Sequence, residues 1–146
     1  MVQAGDESRA KPVPAPGELD RPYWDGARQG RLMVQRCTGC GRYSHPPTMI
    51  CPRCGGENQT WEQASGRGTI HSFTVARQST TRGFQSDLPY VVVLVALEED
   101  PDVLLLTNLL GNIDLNALDI GDPVTVVFEA RGDMVVPQFE LADRRV

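Results

Sequence analysis

The amino-acid sequence predicts a mainly β fold in which a short N-terminal helix and a four-cysteine ribbon precede a small five-stranded barrel. Two Cys-x-x-Cys pairs, each followed by a glycine, lie ten residues apart and predict the ribbon. Beyond them, apolar and polar residues alternate between turn signals, which is typical of β-strands. We expect a flexible tail at residues 1–19, the helix and ribbon at residues 20–62, and the barrel domain at residues 63–146.

The N-terminal segment, residues 1–19, is rich in proline, alanine and glycine and has few large apolar side chains. Such a segment buries too little surface to offset the entropy of ordering, so we expect a flexible lead-in, and it has no apolar run typical of an export signal. No stretch of the chain approaches the roughly 18 apolar residues of a membrane span. These patterns predict a soluble, cytoplasmic chain.

A short helix is predicted after the tail. Asp20 is a suitable N-cap, Pro22 is tolerated in the first turn, and Gly30 is a suitable stop. Tyr23 and Trp24 project from this helix side by side. They are candidates either for packing onto the ribbon or barrel, or for an aromatic anchor in a partner interface.

The two cysteine pairs are the chain's strongest chemical signal. Two residues between cysteines allow both sulfur atoms to face one tetrahedral cation at about 2.3 Å. Since all four ligands are cysteines, no coordination position is open for water or substrate. We therefore predict one structural Zn²⁺ that stabilises a small fold and performs no reaction. The ligands are Cys37, Cys40, Cys51 and Cys54.

Other uses of the cysteines are less consistent with the sequence. Disulfides are disfavoured without an export signal, and a thioredoxin-like redox pair needs a βαβ context that surrounds neither pair. An iron site of the rubredoxin type would use the same four ligands, so the choice between zinc and iron stays open. His45, between the pairs, is predicted to be a surface or packing residue and not a catalytic base.

Strands are predicted on both sides of the cysteines. A strand is predicted at residues 31–36, immediately before the first cysteine pair, with Leu32 and Val34 on one face. The barrel strands are predicted at residues 69–77, 90–97, 103–110, 124–129 and 134–141. In the first of these, alternation places His71, Phe73 and Val75 on one face. Pro137 implies an edge or a bulge in the last strand.

Five strands with a helix in the third connection match the OB-fold, a Greek-key barrel, whereas a sandwich needs about seven strands. Asp114 and Gly121 are suitable to begin and end that helix at residues 115–118. The loop at residues 78–89 borders the face on which OB-folds usually bind. Phe84 in this loop is a candidate for a partner contact or for packing back onto the barrel.

Charge argues against a nucleic-acid module. The net charge is −5, and residues 66–146 carry six basic and twelve acidic residues. A protein that binds a phosphate backbone usually has clustered lysine and arginine. A nucleic-acid-binding ribbon and OB-fold protein is the alternative function, and a redox carrier is a third class that the identity of the metal decides.

Four further stretches, together with the cysteine pairs, resemble the family that joins a rubredoxin-like zinc ribbon to an OB-fold, long catalogued as a domain of unknown function. The resemblance extends over roughly residues 20–142. The stretches are Arg21-Pro22-Tyr23-Trp24-Asp25-Gly26, Gly66-Arg67-Gly68-Thr69-Ile70-His71-Ser72-Phe73-Thr74, Leu88-Pro89-Tyr90-Val91-Val92 and Leu106-Thr107-Asn108-Leu109-Leu110-Gly111.

The resemblance implies a small subunit paired with a thiolase-superfamily protein, either a thiolase or a lipid-transfer-protein-type aldolase of steroid side chains, and some members join enoyl-CoA hydratase domains. It implies a non-catalytic accessory role on acyl-CoA thioesters in steroid, fatty-acid or aromatic degradation, in a hetero-tetramer that shares the acyl-CoA. This agrees with the residues, because every cysteine is assigned to metal and no catalytic motif is present. Candidate contacts to CoA phosphates are Arg28, Arg31 and Arg36, and candidate partner contacts are Tyr23, Trp24 and Phe84.

Overall fold

The computed structural model describes residues 10–142 and contains one α-helix, a three-stranded sheet and a closed five-stranded barrel. The elements are α1 (Arg21–Arg28), β1 (Met33–Cys37), β2 (Tyr43–Ser44), β3 (Gln59–Gln63), β4 (Arg67–Ala76), β5 (Tyr90–Leu97), β6 (Leu104–Leu110), β7 (Pro123–Arg131) and β8 (Met134–Leu141). The sheet has the order β2-β1-β3, and the barrel has the order β4-β5-β6-β8-β7. The mainly β fold, with a ribbon before an OB-type barrel, is therefore confirmed.

The predicted flexible tail is described only in part, since residues 1–9 lie outside the described residues. Ala10 and Lys11 lie against the β4–β5 loop. The Lys11 ammonium is 2.6 Å from the Asp87 carboxylate and 4.8 Å from the centre of the Phe84 ring. Arg82 Nε donates to the Ala10 carbonyl over 2.9 Å. This part of the tail therefore contacts the barrel domain.

Helix α1 begins and ends where the sequence predicts, but Asp20 does not cap it with its side chain. Pro22 lacks the N–H that a capping carboxylate would accept, so the Asp20 carboxylate is used elsewhere. This carboxylate accepts one hydrogen bond from the Gly17 amide, at 2.7 Å, and another from Trp24 Nε1, at 3.1 Å. At the other end Gly30 has φ 72°, and the amides of residues 30 and 31 bond back to Ala27 and Gly26, as in a Schellman motif.

Strand β4 contains a bulge at His71 that the sequence analysis did not predict. Ile70 pairs with Val95 and Ser72 pairs with Leu94, so His71 has no partner on β5. The bulge places Ile70 in the core at 1% exposure and leaves His71 exposed. The prediction that His71 shares a face with Phe73 and Val75 is therefore wrong, because alternation is interrupted between them.

The predicted helix at residues 115–118 is also wrong, because this segment forms only a turn. The Asp114 side chain accepts from the Asn116 amide over 3.0 Å, and a single i to i−3 bond joins Ala117 to Asp114. Such side-chain bonding favours a turn over a helix. The end of the connection then joins β4, where Gly121 donates to the Ile70 carbonyl.

The seam between β6 and β8 is held mainly by side chains. The two strands pair in parallel only at residues 109–110 with 139–140. Before that point Pro137 has no N–H to donate. β8 is an inner strand of the closed barrel and keeps an unbroken register with β7, so the edge or bulge that the sequence predicts is found only as this local gap in the pairing with β6. The buried Gln138 side chain takes the place of the missing ladder: its Oε1 accepts from the Asn108 amide over 2.8 Å and is hydrogen-bonded with the Thr107 hydroxyl.

One apolar core extends through both parts of the chain. Leu32 and Val34 before and in β1, and Ala64 after β3, belong to the same buried cluster as the barrel residues. The barrel contributes Phe139, which is fully buried, and the inward-facing valines of β5. Because burial of each large apolar side chain contributes about 1.5–3 kcal/mol, this shared cluster fixes the ribbon onto the barrel. Among residues 10–142, no helix has the length and apolarity to cross a membrane.

Candidate functional site

The two cysteine pairs form two equivalent turns. In the first, the Gly41 amide donates to the Cys37 carbonyl over 2.9 Å; in the second, the Gly55 amide donates to the Cys51 carbonyl over 3.0 Å. Both glycines have φ 77°, a backbone conformation that other residues adopt only with strain. The glycine that follows each pair is therefore required for the turn that gathers the sulfur atoms.

The four sulfur atoms lie together with the spacing of one metal site. The Sγ atoms of Cys37, Cys40, Cys51 and Cys54 all lie within 4.8 Å of one another. Cys37 and Cys54 are 3.6 Å apart, and Cys40 and Cys51 are 3.7 Å apart. A tetrahedral ion with metal–sulfur bonds of about 2.3 Å requires sulfur–sulfur distances of about 3.8 Å. The arrangement fits a single tetrahedral cation, and four thiolates suit zinc or iron.

The electrostatics of the cluster also favour a bound cation. Hydrogen bonds from the backbone amides of Cys54 and Arg53 lower the pKa of Cys51 to about 6. The Cys40 amide likewise lowers the pKa of Cys37. For Cys54 the Gly56 amide acts in the same direction, but the three neighbouring sulfur atoms outweigh it and raise the pKa to about 11. A divalent cation removes this repulsion between thiolates.

Arg36, a candidate for CoA phosphate, is instead engaged beside the first cysteine pair. Its Nε donates to the Gly41 carbonyl over 2.8 Å, and its Nη1 lies 3.1 Å from both carboxylate oxygens of Glu62. The guanidinium also lies over the Tyr43 ring at 4.9 Å. Hydrogen bonds from Tyr43 and Arg36 lower the pKa of Glu62. These contacts give Arg36 a structural role in holding the first turn.

The other two candidate arginines do not form a cluster with Arg36. Arg28 lies at the end of α1, where Nη2 contacts the Met134 sulfur at 3.0 Å. Arg31 is exposed between α1 and β1 and makes no side-chain hydrogen bond or ion pair with any other described residue. Each arginine therefore has a different environment, and only Arg31 leaves its guanidinium without a protein partner within residues 10–142.

An ion-pair bridge, unpredicted by the sequence analysis, links the ribbon to the β5–β6 turn. Arg42 Nε lies 3.1 Å from the Asp100 carboxylate, and Arg42 Nη2 lies 2.9 Å from Asp102. Asp100 is buried and also accepts from the Asp102 amide, while Arg53 approaches Asp102 at 3.8 Å. The sequence Asp100-Pro101-Asp102 is typical of a turn, but nothing in the sequence pairs it with Arg42.

The helix aromatics pack against the loop between the cysteine pairs. The Tyr23 and Trp24 rings are 4.9 Å apart at 81°, and the Tyr23 ring lies 5.2 Å from that of His45. Burial raises the pKa of Tyr23 and lowers the pKa of His45 to about 4. His45 is therefore a neutral packing residue near neutral pH, as the sequence analysis predicts. Tyr23 and Trp24 keep part of their surface exposed.

Phe84 packs back onto the barrel and remains partly exposed. Its ring centre lies 5.3 Å from that of Tyr90, with Lys11 at 4.8 Å and Arg131 at 5.6 Å. The packing alternative for this residue is therefore present in the structure. A partner contact through the exposed part of the ring stays a prediction.

Leu106 is a surface residue that the sequence analysis missed as a site candidate. It is 72% exposed on the outer side of β6. The sequence feature that could have identified it is the run Leu104-Leu105-Leu106. Because side chains alternate between the two faces of a strand, at least one of these leucines must point outward. Two shallow pockets meet at this residue, one beside Trp24 and one beside Phe84.

Two family models match most of the chain. Residues 24–59 match the model described as "ChsH2, rubredoxin-like zinc ribbon domain", and residues 61–129 match the model described as "ChsH2, C-terminal OB-fold domain". A solved structure described as "Ltp2-ChsH2(DUF35) aldolase" is similar to 88% of this chain and 98% of that chain. The TM-score is 0.78, and the sequence identity is 35%.

Similar proteins are also found among the curated sequences. A "DUF35 domain-containing scaffold protein" of Methanothermobacter thermautotrophicus is 37% identical over 98 residues, covering 66% of this chain and 71% of that protein. A "Probable enoyl-CoA hydratase alpha subunit" of Thermomonospora curvata is 37% identical over 133 residues, covering 90% of this chain. The chain spans only 40% of the length of that second relative.

Proposed function

Since the chain belongs to the DUF35 family, in which a ChsH2-type zinc ribbon precedes an OB-fold domain, we propose that it is a non-catalytic accessory subunit of a hetero-oligomeric thiolase or aldolase acting on acyl-CoA thioesters. The observation that carries the proposal is the likeness to the ChsH2(DUF35) chain of an aldolase, which extends over nearly that whole chain. Its partner is a thiolase-superfamily subunit, and the reacting groups lie on that partner.

The residues of this chain support an accessory role. A thiolase requires a cysteine that can be acylated, but all four cysteines lie together in the ribbon. His45 is neutral and packed against Tyr23, so it is poorly placed to act as a general base. Among the described residues, the four cysteines are the sole cluster of three or more metal-ligating side chains.

The metal belongs to the structure of this subunit. Cys37, Cys40, Cys51 and Cys54 would hold one Zn²⁺ in a site with no open position. The ion therefore supplies folding stability and no reaction chemistry. Arg36 holds the first cysteine turn within the ribbon, and the Arg42 bridge to Asp100 and Asp102 links the ribbon to the barrel.

Contact with the CoA part of the substrate is a narrower part of the proposal. Of the three candidate arginines, Arg36 is engaged with Glu62 and Arg28 with Met134. Arg31 is exposed and has no ion pair with another described residue. Its guanidinium is therefore the one of the three best able to donate hydrogen bonds to a phosphate of CoA. In this proposal the acyl-CoA is shared with the partner and only its polar end approaches this chain.

The likeness to a relative named as an enoyl-CoA hydratase subunit favours a second candidate partner. In that case the chain would serve a hydratase domain acting on CoA thioesters, again without supplying the reacting groups. Nucleic-acid binding is less well supported. The outer face of β5 and β6, where OB-folds bind oligonucleotides, presents Val92, Leu94 and Leu106 instead of a basic and aromatic stripe.

The proposal is tested by co-expression with a thiolase-superfamily subunit from the same genome. Size-exclusion chromatography with light scattering should show a stable hetero-oligomer. Turnover of a CoA thioester should require both subunits, with neither active alone. Co-expression with a hydratase subunit distinguishes the second candidate. Full activity of the thiolase-like subunit by itself, or turnover by this chain alone, would contradict the accessory role.

A further inference from the structure

We propose that the outer surface of β5 and β6 centred on Leu106 is the surface that docks the thiolase-like subunit. This surface, called here the Leu106 face, consists of Val92, Leu94 and Leu106 on the two strands, flanked by the Tyr23–Trp24 pair and by Phe84. The inference rests on the proposed function, because it commits to that subunit as the occupant. It adds which part of the chain makes the contact.

The strands direct an apolar stripe away from the barrel. Val91, Val93 and Val95 on β5 are 2%, 0% and 0% exposed, so the side chains between them point outward. Leu94 lies directly across from Leu106 in the β5–β6 ladder. Leu106 is 72% exposed, and because it lies beside Leu94 it belongs to a patch and is not a single scattered surface residue. The apolar residues therefore form a connected outer patch.

Two pockets join this stripe to the aromatic residues on its flanks. One, of about 270 Å³, is lined by Leu106 together with Tyr23 and Trp24. The other, of about 240 Å³, is lined by Leu106 together with Phe84. Aromatic candidates from the helix and from the β4–β5 loop thus meet at one exposed leucine. Interface hot spots have this composition, an aromatic anchor beside shallow pockets near the centre of a patch.

The charge of the Leu106 face selects the kind of occupant. No lysine, arginine or glutamate lines either pocket, and the one carboxylate, that of Asp20, already accepts from Trp24 and Gly17. His45, at the edge, is packed against Tyr23 and neutral. The two cations at the Phe84 ring, Lys11 and Arg131, are themselves paired with Asp87 and Glu129. A surface whose few charges are already paired is complementary to an apolar protein surface and attracts the phosphates of a nucleic acid or of CoA only weakly.

The position on the barrel supports the same conclusion. β5 and β6 are the second and third strands of the barrel, the face on which OB-folds bind their ligands. The β4–β5 loop, which carries Phe84, borders it. The Leu106 face therefore lies on the usual binding face of the fold, but its apolar side chains suit a protein partner better than a polar ligand.

The test compares Leu106→Asp with a matched control, Ile120→Asp. Ile120 is 70% exposed but lies in the β6–β7 connection, away from both pockets. Binding of the metal-loaded chain to the purified thiolase-like subunit would be measured by calorimetry. We expect Leu106→Asp to raise Kd at least about 30-fold, as for a central hot spot, and Ile120→Asp to change it less than about threefold. Trp24→Ala and Phe84→Ala should each weaken binding, with metal content unchanged.

The outcomes separate this inference from the proposed function. If the wild-type chain binds the thiolase-like subunit and Leu106→Asp binds it as tightly, the function stands and the Leu106 face is the wrong surface. If the wild-type chain does not bind the subunit, the proposed function fails and this inference with it. If the chain alone forms a homodimer that Leu106→Asp disrupts, the face serves a second copy and the inference is overturned.

Discussion

Replacing Gln138 with leucine should weaken the barrel at the seam between β6 and β8. At this seam the backbone ladder covers only two residue pairs, and the Gln138 side chain supplies the bonds before them. Its Oε1 accepts from the Asn108 amide over 2.8 Å, and its Nε2 approaches Glu129 at 3.5 Å. Leucine has a similar volume but no acceptor, so the Asn108 amide would lose its partner inside the barrel wall.

The expected cost follows from that orphaned amide. A buried donor left without a partner costs about 1–3 kcal/mol. The bond to Glu129 is long and adds little, and the extra apolar surface of leucine offsets part of the loss. We therefore expect a destabilisation of about 2 kcal/mol, and for a domain of this size a decrease in Tm of roughly 4–8 °C.

The assay is thermal unfolding of the metal-loaded protein, followed by circular dichroism. Gln78→Leu is the matched control, because it makes the same change at an exposed position in the β4–β5 loop. The control should unfold within about 2 °C of the wild type, since surface substitutions have small effects. Equal Tm values for Gln138→Leu and Gln78→Leu would show that the side chain does not hold the seam, and the argument would fail.

Three further predictions concern the metal, pH and nucleic acid. Purified protein should contain about one zinc per chain by elemental analysis and no visible colour, and Cys40→Ser should lose the metal and lower the Tm; a red protein with stoichiometric iron would contradict the assignment. Because burial lowers the pKa of His45 from 6.5 to about 4, the unfolded state binds more protons between these values. The free energy of unfolding should therefore decrease as the pH falls from 6.5 to about 4. If a His45→Gln variant loses stability with falling pH as steeply as the wild type, His45 is not the cause of the decrease. Single-stranded oligonucleotides should show no binding in fluorescence anisotropy at micromolar protein and about 0.15 M salt, and submicromolar salt-sensitive binding would favour the alternative function.

Local patterns were sufficient for the elements whose causes are local. The cysteine spacing and the two glycines predicted the ribbon, because a turn of positive φ needs only neighbouring residues. The last strand was predicted with its observed bounds at Met134–Leu141, since Gly132 and the following apolar run mark it clearly. The number of barrel strands was predicted from the same kind of turn signal.

Features that depend on distant residues could not be predicted in this way. The bulge at His71 arises where the β6–β7 connection joins β4, so the local alternation contains no sign of it. Arg36 was predicted as a candidate contact to CoA phosphates, yet it pairs with Glu62, which lies on another strand. Leu106 was assigned to a strand without a direction for its side chain, because an apolar run does not show which side chain points outward.

The shared core of ribbon and barrel has a consequence for protein engineering. Leu32, Val34 and Ala64 are buried in the same cluster as the barrel residues, so a cut between the two parts would expose apolar surface on both fragments. A chimaera that exchanges only the ribbon must also match the barrel surface beneath it. The ribbon and the barrel should therefore be transferred together, as one folding unit. The longer relative from Thermomonospora curvata matches 90% of the chain along 40% of its own length, which is the arrangement expected when such a unit is joined to further sequence.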